Sequence, residues 1–573
     1  MKFDQFEKWY YGLALLVAAL VRFTHLGSFP LSNGEASLAL QALELVNGGA
    51  SSSIGPQAGY TIWTGGLFFL FEGSTFWARF IPALVGIVMV LAPYYLRSLL
   101  GPKAAVLAAF VIALDPGLVA LSKTASGEII GLTFLLLGCG LLVQKRAVAS
   151  GVVFGLALLG GPSVWAGLLS IVVALGLVKW SGRYFTNTDS TQSGTLFQRP
   201  RSQWKLFIVS LVAASIIGAS LFFSLPKGIS AMASALPAYM MGWGANPTTF
   251  LIQIIAAILG YELFIVLPGM WRIISGRAAQ TILDRFLGIW LVTSFILLLA
   301  YPGRTVLGLG WVILPLIGLA VRQIVALFEW RGFNVDWQAA LGLSSMFVVL
   351  IGFAWLNLLK VTNTILGEQE GLLRWFGIGG ALLLLVAITI LVGWGWSRNA
   401  AFTGALFGVT AAVLVFTFGA LWHSARLTGE PLHELWQVDG LLPELDLLNN
   451  SVGDISEWNT GYRDQMDIVV LGVNSPALEW SLRNVNQLLV VDHIPAGQDP
   501  GVVIAPKGHN LSLGAEYSGQ DFILKENPAW PLLSVMDWLH WLAFRETRVL
   551  KTDVILWVRT DLFPGVNESL VVE

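Results

Sequence analysis

The sequence predicts a polytopic α-helical membrane bundle with a small α/β domain at its C-terminal end. Three observations carry that expectation. The 573 residues are 55% hydrophobic and only 12% charged, about half the charge density of an average soluble domain, and mean hydropathy is +0.72. Apolar runs long enough to cross a hydrocarbon core of about 30 Å follow one another as far as residue 422. From His423 onward short apolar strands alternate with helical patterns, dividing the chain into residues 1–422 and 423–573.

The apolar runs fall near 9–27, 76–97, 104–121, 129–144, 206–225, 249–271, 286–301, 304–322, 338–359, 375–396 and 400–422. After Lys2 and Lys8 the first run ends without a small-residue cleavage site and reads as a retained helix. Segment 147–180 is too long for one span and is broken by Gly160-Gly161-Pro162. Lys145-Arg146 precede it, and Lys179, Arg183, Arg199, Arg201 and Lys205 follow it. Both clusters belong in the cytoplasm under the positive-inside rule, so the segment crosses twice or dips in and returns. Counting it as two gives about 13 spans of bilayer length, with the N-terminus cytoplasmic and the C-terminal domain extracytoplasmic, in the plasma membrane. Arg97, Lys103, Arg272, Arg277, Arg285, Arg322, Arg331 and Arg398 fall on the inside of that topology. The 24 tryptophans suit interfacial anchors.

Residues 28–75 form a long first exterior loop, with amphipathic stretches over Leu38–Val46 and Tyr60–Phe71. In the C-terminal domain Met466–Leu471 reads as a buried strand. Ser475-Pro476 supplies an N-cap and a first helical residue for Ala477–Arg483. Strands at Leu488–Val491, Val502–Ile504, Phe522–Leu524 and Val554–Arg559 surround a Trp-rich helix at Ser534–Phe544. No glycine-rich phosphate loop opens a helix there.

A net charge of −2 and a pI near 6.3 speak against nucleic acid as a partner. The single cysteine, Cys139, excludes an internal disulfide and a cysteine metal site. With no HExxH or CxxC, any metal would be a divalent cation on oxygen ligands. Two exterior carboxylates are the candidate catalytic groups. Glu35 lies in Pro30-Leu31-Ser32-Asn33-Gly34-Glu35-Ala36, and Glu128 ends the turn Leu121-Ser122-Lys123-Thr124-Ala125-Ser126-Gly127-Glu128. Each has a structural alternative: Ser32-x-x-Glu35 is a capping box, and Glu128 suits a helix N-terminus. Arg79, Lys123 and Arg304 stand at membrane level, where they meet a lipid phosphate or snorkel to the interface. Glu262 sits inside an apolar run, where an acid is costly and either functional or paired with a neighbouring helix.

On these residues the chain resembles the GT-C superfamily of membrane glycosyltransferases, in the GT39-like branch of protein O-mannosyltransferases and lipid A aminoarabinose transferases. That branch opens its first loop with Pro-x-x-x-Asp-Glu-Ala, matched by Pro30 to Ala36. Gly73-Ser74-Thr75-Phe76-Trp77-Ala78-Arg79-Phe80-Ile81-Pro82-Ala83-Leu84-Val85-Gly86 matches its next motif, and Ser122 to Glu128 echoes its Ser-Arg-x-x-Arg-x-Asp turn. Tyr301-Pro302-Gly303-Arg304 to Pro315 looks like its late Tyr/Pro-rich helix pair. The likeness is clear over the first 180 residues. Gly34 stands where the branch has the Asp assigned as catalytic base, and Ser126 replaces an arginine. A His-Pro-Pro-Leu-Tyr segment is reduced to Gly55-Pro56-Gln57-Ala58-Gly59-Tyr60.

The resemblance implies transfer of a sugar from a polyprenyl-phosphate donor to a protein or lipid acceptor outside the cytoplasm. Glu35 would be the base, assisted by Glu128, with Arg79, Lys123, Arg304 and Tyr60 around the lipid phosphate and substrate. The missing Asp leaves an alternative open: a non-catalytic GT-C scaffold or lipid-binding subunit whose exterior domain docks a partner in a membrane complex. A transporter is the third class, disfavoured because the sequence displays no inverted repeat or paired broken helices.

Overall fold

A computed structural model describes residues 3–48, 54–184, 201–277, 281–330, 336–363, 368–429, 432–495, 498–509 and 514–563. Lys2, Arg199 and Arg331, used in the topology reading, lie outside them. The bundle begins with α1 (Phe3–Phe23), then α2 (Asn33–Val46) and α3 (Ala58–Phe71) in the first loop, α4 (Thr75–Met89), α5 (Ala92–Leu100), α6 (Pro102–Leu114), α7 (Pro116–Ser122) and α8 (Glu128–Val143). It continues through α9 (Ala147–Ala157), α10 (Ser163–Tyr184), α11 (Arg201–Ala219), α12 (Lys227–Met241), α13 (Leu251–Tyr261) and α14 (Leu263–Ile274). It ends with α15 (Ile282–Ala300), α16 (Gly310–Trp330), α17 (Trp337–Asn363), α18 (Glu368–Gly395) and α19 (Arg398–Ser424).

Among the described residues, seven helical segments are long and apolar enough to span a membrane, or nine when each of two bent pairs counts as one span. The sequence reading of about 13 spans also counted α1, α8, α9 and α11. Over their described residues the last three are shorter apolar helices and stand outside the seven. Helix α1 is long enough but carries Glu7, Lys8 and Arg22. Gly160-Gly161-Pro162 does break segment 147–180, with α9 before it and α10 after it.

The bent pairs correct the expectation that paired broken helices are absent. Helices α6 and α7 meet at 57°, and α13 and α14 at 97°. The first break is made by Asp115-Pro116, where Asp115 caps α7 by accepting from Leu118 N (2.9 Å). Buried Arg22 donates to the freed carbonyls of Ile112 and Ala113 (3.0 Å each). The second break falls at Glu262, whose carboxylate accepts from Gly117 N (3.2 Å) and touches the Asp115 carboxyl. Glu262 therefore joins one break to the other.

Beyond α19 come α20 (Leu445–Thr460), β1 (Asp467–Leu471), α21 (Pro476–Ser481), β2 (Gln487–Val491), β3 (Val502–Pro506), β4 (Tyr517–Pro528), α22 (Val535–Phe544) and β5 (Val549–Arg559). The sheet order is β2-β1-β3-β5-β4. Strand β1 runs parallel to β2 and β3, while β5 is antiparallel to β3 and β4. Ser475 caps α21 and Pro476 is its first residue, as the sequence predicts. This α/β unit packs on the first loop. Asn33 Oδ1 accepts from Ser475 Oγ (2.8 Å) and Ala477 N (3.1 Å), and Arg483 donates to the Gly73 carbonyl (2.8 Å). Phe68 and Trp480 lie with ring centroids 5.7 Å apart.

Candidate functional site

The start of α2 is built as its sequence requires. Ser32 Oγ accepts from Glu35 N (3.4 Å), and Glu35 Oε2 accepts from Ser32 N (3.0 Å), a reciprocal capping box. The same carboxylate receives Arg79 Nε at 2.9 Å and Nη2 at 2.8 Å, and Ala125 N at 2.8 Å. Arg79 spends its remaining donors on the carbonyls of Leu26, Phe29 and Pro30. Both side chains are buried, at 4% and 1% exposure. Burial would raise the Glu35 carboxyl; Arg79, Arg426 and the Ala125 N–H more than reverse that and hold it at about 2. Glu35 and Arg79 thus form a closed ion pair joining α2, α4 and the turn before α8.

Other sequence candidates are also engaged by the protein. Tyr60 is fully buried and donates to the Ala78 carbonyl (3.0 Å). Lys123 Nζ donates to the carbonyls of Thr24 (2.5 Å) and Ala425 (2.6 Å). Burial and the neighbouring guanidiniums of Arg426, Arg79 and Arg22 push its ammonium down to about 7. Arg79 and Lys123 therefore have no donor turned toward a phosphate. Arg304 differs: Nε and Nη1 donate to the carbonyls of Thr249, Leu299 and Tyr301, while Nη2 has no partner among the described residues.

Two cavities adjoin here. The first, of about 200 Å³, lies between the first loop, the turn before α8 and residues 423–426 and 432–442, ahead of the α/β unit. Its wall includes Glu35, Glu128, His423, Arg426, Glu434, Trp436 and Asp439. The second, of about 160 Å³, runs between α10, α12, α15 and the turn holding Arg304. Gln57 and Glu128 stand in both walls. Glu35 and Glu128, chosen from the sequence, thus share the first cavity, and Glu128 and Arg304 share the second.

Among the described residues, some of the buried polar atoms without a partner line these spaces. Glu128 Oε2, His423 Nδ1, Glu434 Oε1 and Trp436 Nε1 face the first, and Ser163 Oγ, Tyr239 Oη and Ser294 Oγ the second. Such orphans are rare in folded proteins and equip both cavities to take a polar ligand. His423, Arg426, Glu434, Trp436 and Asp439 were not foreseen, because they lie where the bundle gives way to the α/β unit and form no local motif. The stretch is fixed by Tyr261 at the bend of α13, whose hydroxyl donates to Glu434 and accepts from Leu435 N (3.1 Å).

A divalent cation shared by Glu35 and Glu128 does not fit this arrangement, since Glu35 is already neutralised by Arg79. Among the described residues no group of three or more His, Cys, Asp and Glu side chains converges to hold a metal.

No protein-family model matches the sequence, and no curated protein matches it. Solved structures do. ArnT from Cupriavidus metallidurans bound to undecaprenyl phosphate aligns with a TM-score of 0.55 and 14% identity, over 96% of this chain and 98% of that one. The fold is GT-C. ArnT from the same organism in the apo state gives a TM-score of 0.54 at 14% identity, covering 97% and 99%. The Archaeoglobus fulgidus oligosaccharyltransferase in the apo form aligns more loosely, with a TM-score of 0.44 and 12% identity over 86% and 65%. That fold accounts for the helical bundle and the C-terminal α/β unit together.

Proposed function

We propose that this GT-C protein transfers a sugar from a polyprenyl-phosphate donor to an acceptor on the outer side of the membrane. The observation that carries the reading is the junction of two polar cavities with Glu128 in the wall of both. The phosphate of the donor occupies the second cavity, beside Arg304 and the hydroxyls of Tyr239 and Ser294. Its sugar reaches the first cavity past Glu128. As the anomeric C–O bond breaks, negative charge leaves with the phosphate and positive charge grows on the sugar ring. A cation on one side and a carboxylate on the other lower the energy of that separation. Undecaprenyl phosphate bound to ArnT, a protein of the same fold, supports the choice of a lipid-linked donor.

One observation favours the non-catalytic alternative: the first-loop acid is locked to Arg79 and cannot accept a proton from an acceptor. The deciding experiment uses protein in lipid nanodiscs with a panel of polyprenyl-phosphate sugars, measuring release of polyprenyl phosphate. We expect turnover by the native protein and a fall in kcat of about 100-fold or more for Glu128→Gln, in the range of a lost electrostatic or proton-transfer group. Tight binding of undecaprenyl phosphate with no turnover of any donor would establish the scaffold instead.

A further inference from the structure

We infer that Asp439 is the general base of the proposed transfer, placed by the C-terminal segment into the volume that a side chain at position 34 would fill. The inference rests on the transfer reading above. Asp439 Oδ2 accepts the Gly34 N–H at 2.6 Å and lies 2.6 Å from the point where a Cβ on Gly34 would stand. No side chain at 34 coexists with Asp439 in this position.

The position is enforced from the other side as well. Gly440 has φ +76°, and a Cβ there would lie 2.5 Å from the Glu526 carbonyl. Only glycine turns the chain so tightly against that backbone. The next residue, Leu441, pairs with Glu526 in both directions, N to O at 3.0 Å and O to N at 2.9 Å. Asp439 is therefore held between the first loop and strand β4.

Among the carboxylates of the first cavity Asp439 is the one suited to take a proton. Glu35 is closed by a guanidinium and two backbone donors. Glu434 is 4% exposed and takes the Tyr261 hydroxyl. Glu128 stands at the passage to the donor. Asp439 is half-buried, and among the described residues it has no cationic partner and one hydrogen bond, to Gly34. The cavity also holds the unpartnered Glu434 Oε1 and Trp436 Nε1, both on buried side chains, which point to a polar ligand beside it.

In the step, the acceptor hydroxyl or amine gives its proton to Asp439 as its heteroatom bonds to the anomeric carbon. The anomeric carbon's bond to the phosphate oxygen breaks, and that electron pair leaves with polyprenyl phosphate. The proton rests on Asp439 until product departs.

The test compares native protein, Asp439→Asn, Asp439→Ala and the exchange Gly34→Asp/Asp439→Ala in nanodiscs, with kcat, KM and thermal unfolding measured for each. Asparagine keeps the hydrogen bond to Gly34 and loses the base. We expect kcat of Asp439→Asn to fall about 100-fold or more, with KM and unfolding temperature unchanged. We expect the exchange variant to regain at least about tenfold over Asp439→Ala, as a restored base would. Asp439→Asn within about twofold of native kcat overturns the assignment while the transferase reading stands. So does an exchange variant that recovers native unfolding but no activity above Asp439→Ala. Native protein without turnover on any donor removes the transferase reading, and the assignment with it.

Discussion

A carboxylate at 4% exposure is stable only when its charge is answered, and Glu35 is answered by Arg79 in two-point geometry. Removing one partner strands the other, at a cost of about 3–5 kcal/mol. The pH dependence gives a second measure. Glu35 is held at about 2 against an ordinary 4.5, a difference of about 3 kcal/mol by linkage. Its folded value is depressed, so this stabilisation is complete above pH 4.5 and drains away as pH falls toward 2. We expect Glu35→Gln to unfold at lower temperature than native protein at pH 5 and above, and the gap to close in acid, as followed by thermal unfolding across pH. Any activity lost at neutral pH should track the folded fraction alone. The cap was legible because Ser32 and Glu35 are three residues apart. The ion pair was not, because Arg79 is 44 positions away.

Helix ends and breaks are where this bundle is stapled. Asp284, in the first turn of α15 and capped by Thr281, accepts from Arg272 of α14 (2.7 and 2.9 Å) and Arg322 of α16 (2.7 and 3.1 Å). The sequence reading placed these arginines on the inside of the topology; their pairing with a buried Asp284 across three helices was not foreseen. With Asp284 at 0% exposure, Asp284→Asn leaves two guanidiniums uncompensated. We expect a loss of about 3–5 kcal/mol, read as a lower unfolding temperature with little change in KM for a polyprenyl-phosphate sugar. The apolar runs were written in hydropathy, but their bends were not. Averaging over an apolar run hides Asp115-Pro116, although an Asp cap before proline is a local signal of a new helix. Helix α20 was also passed over, yet Leu445, Leu448, Val452 and Ile455 are its buried face at helical spacing.

At the scale of the molecule, the first cavity belongs to neither part of the chain alone. The membrane part gives Glu35 and Glu128, and the stretch after α19 gives Arg426, Glu434 and Asp439. The α/β unit is pressed onto the first loop through Asn33, Gly73 and Gly34. We expect Asn33→Ala combined with Arg483→Ala to raise amide hydrogen exchange over 434–442 and over α21, while the long helices α17 to α19 stay protected. This explains how far the site could be read. Motif spacing reached Glu35, Glu128 and Arg304 because they lie in short, patterned turns. It could not reach the opposite wall, since nothing local ties Asp439 to a glycine 405 positions earlier.

That separation also sets a clock. Chains emerge from the ribosome at about 5–20 residues per second, so the interval between Gly34 and Asp439 takes on the order of 20–80 s to synthesise. Throughout it the early helices are already entering the bilayer with one side of the pocket absent. A nascent chain of this kind enters the bilayer with the cavity still open on one side, and the opposite wall arrives only with Arg426, Glu434 and Asp439.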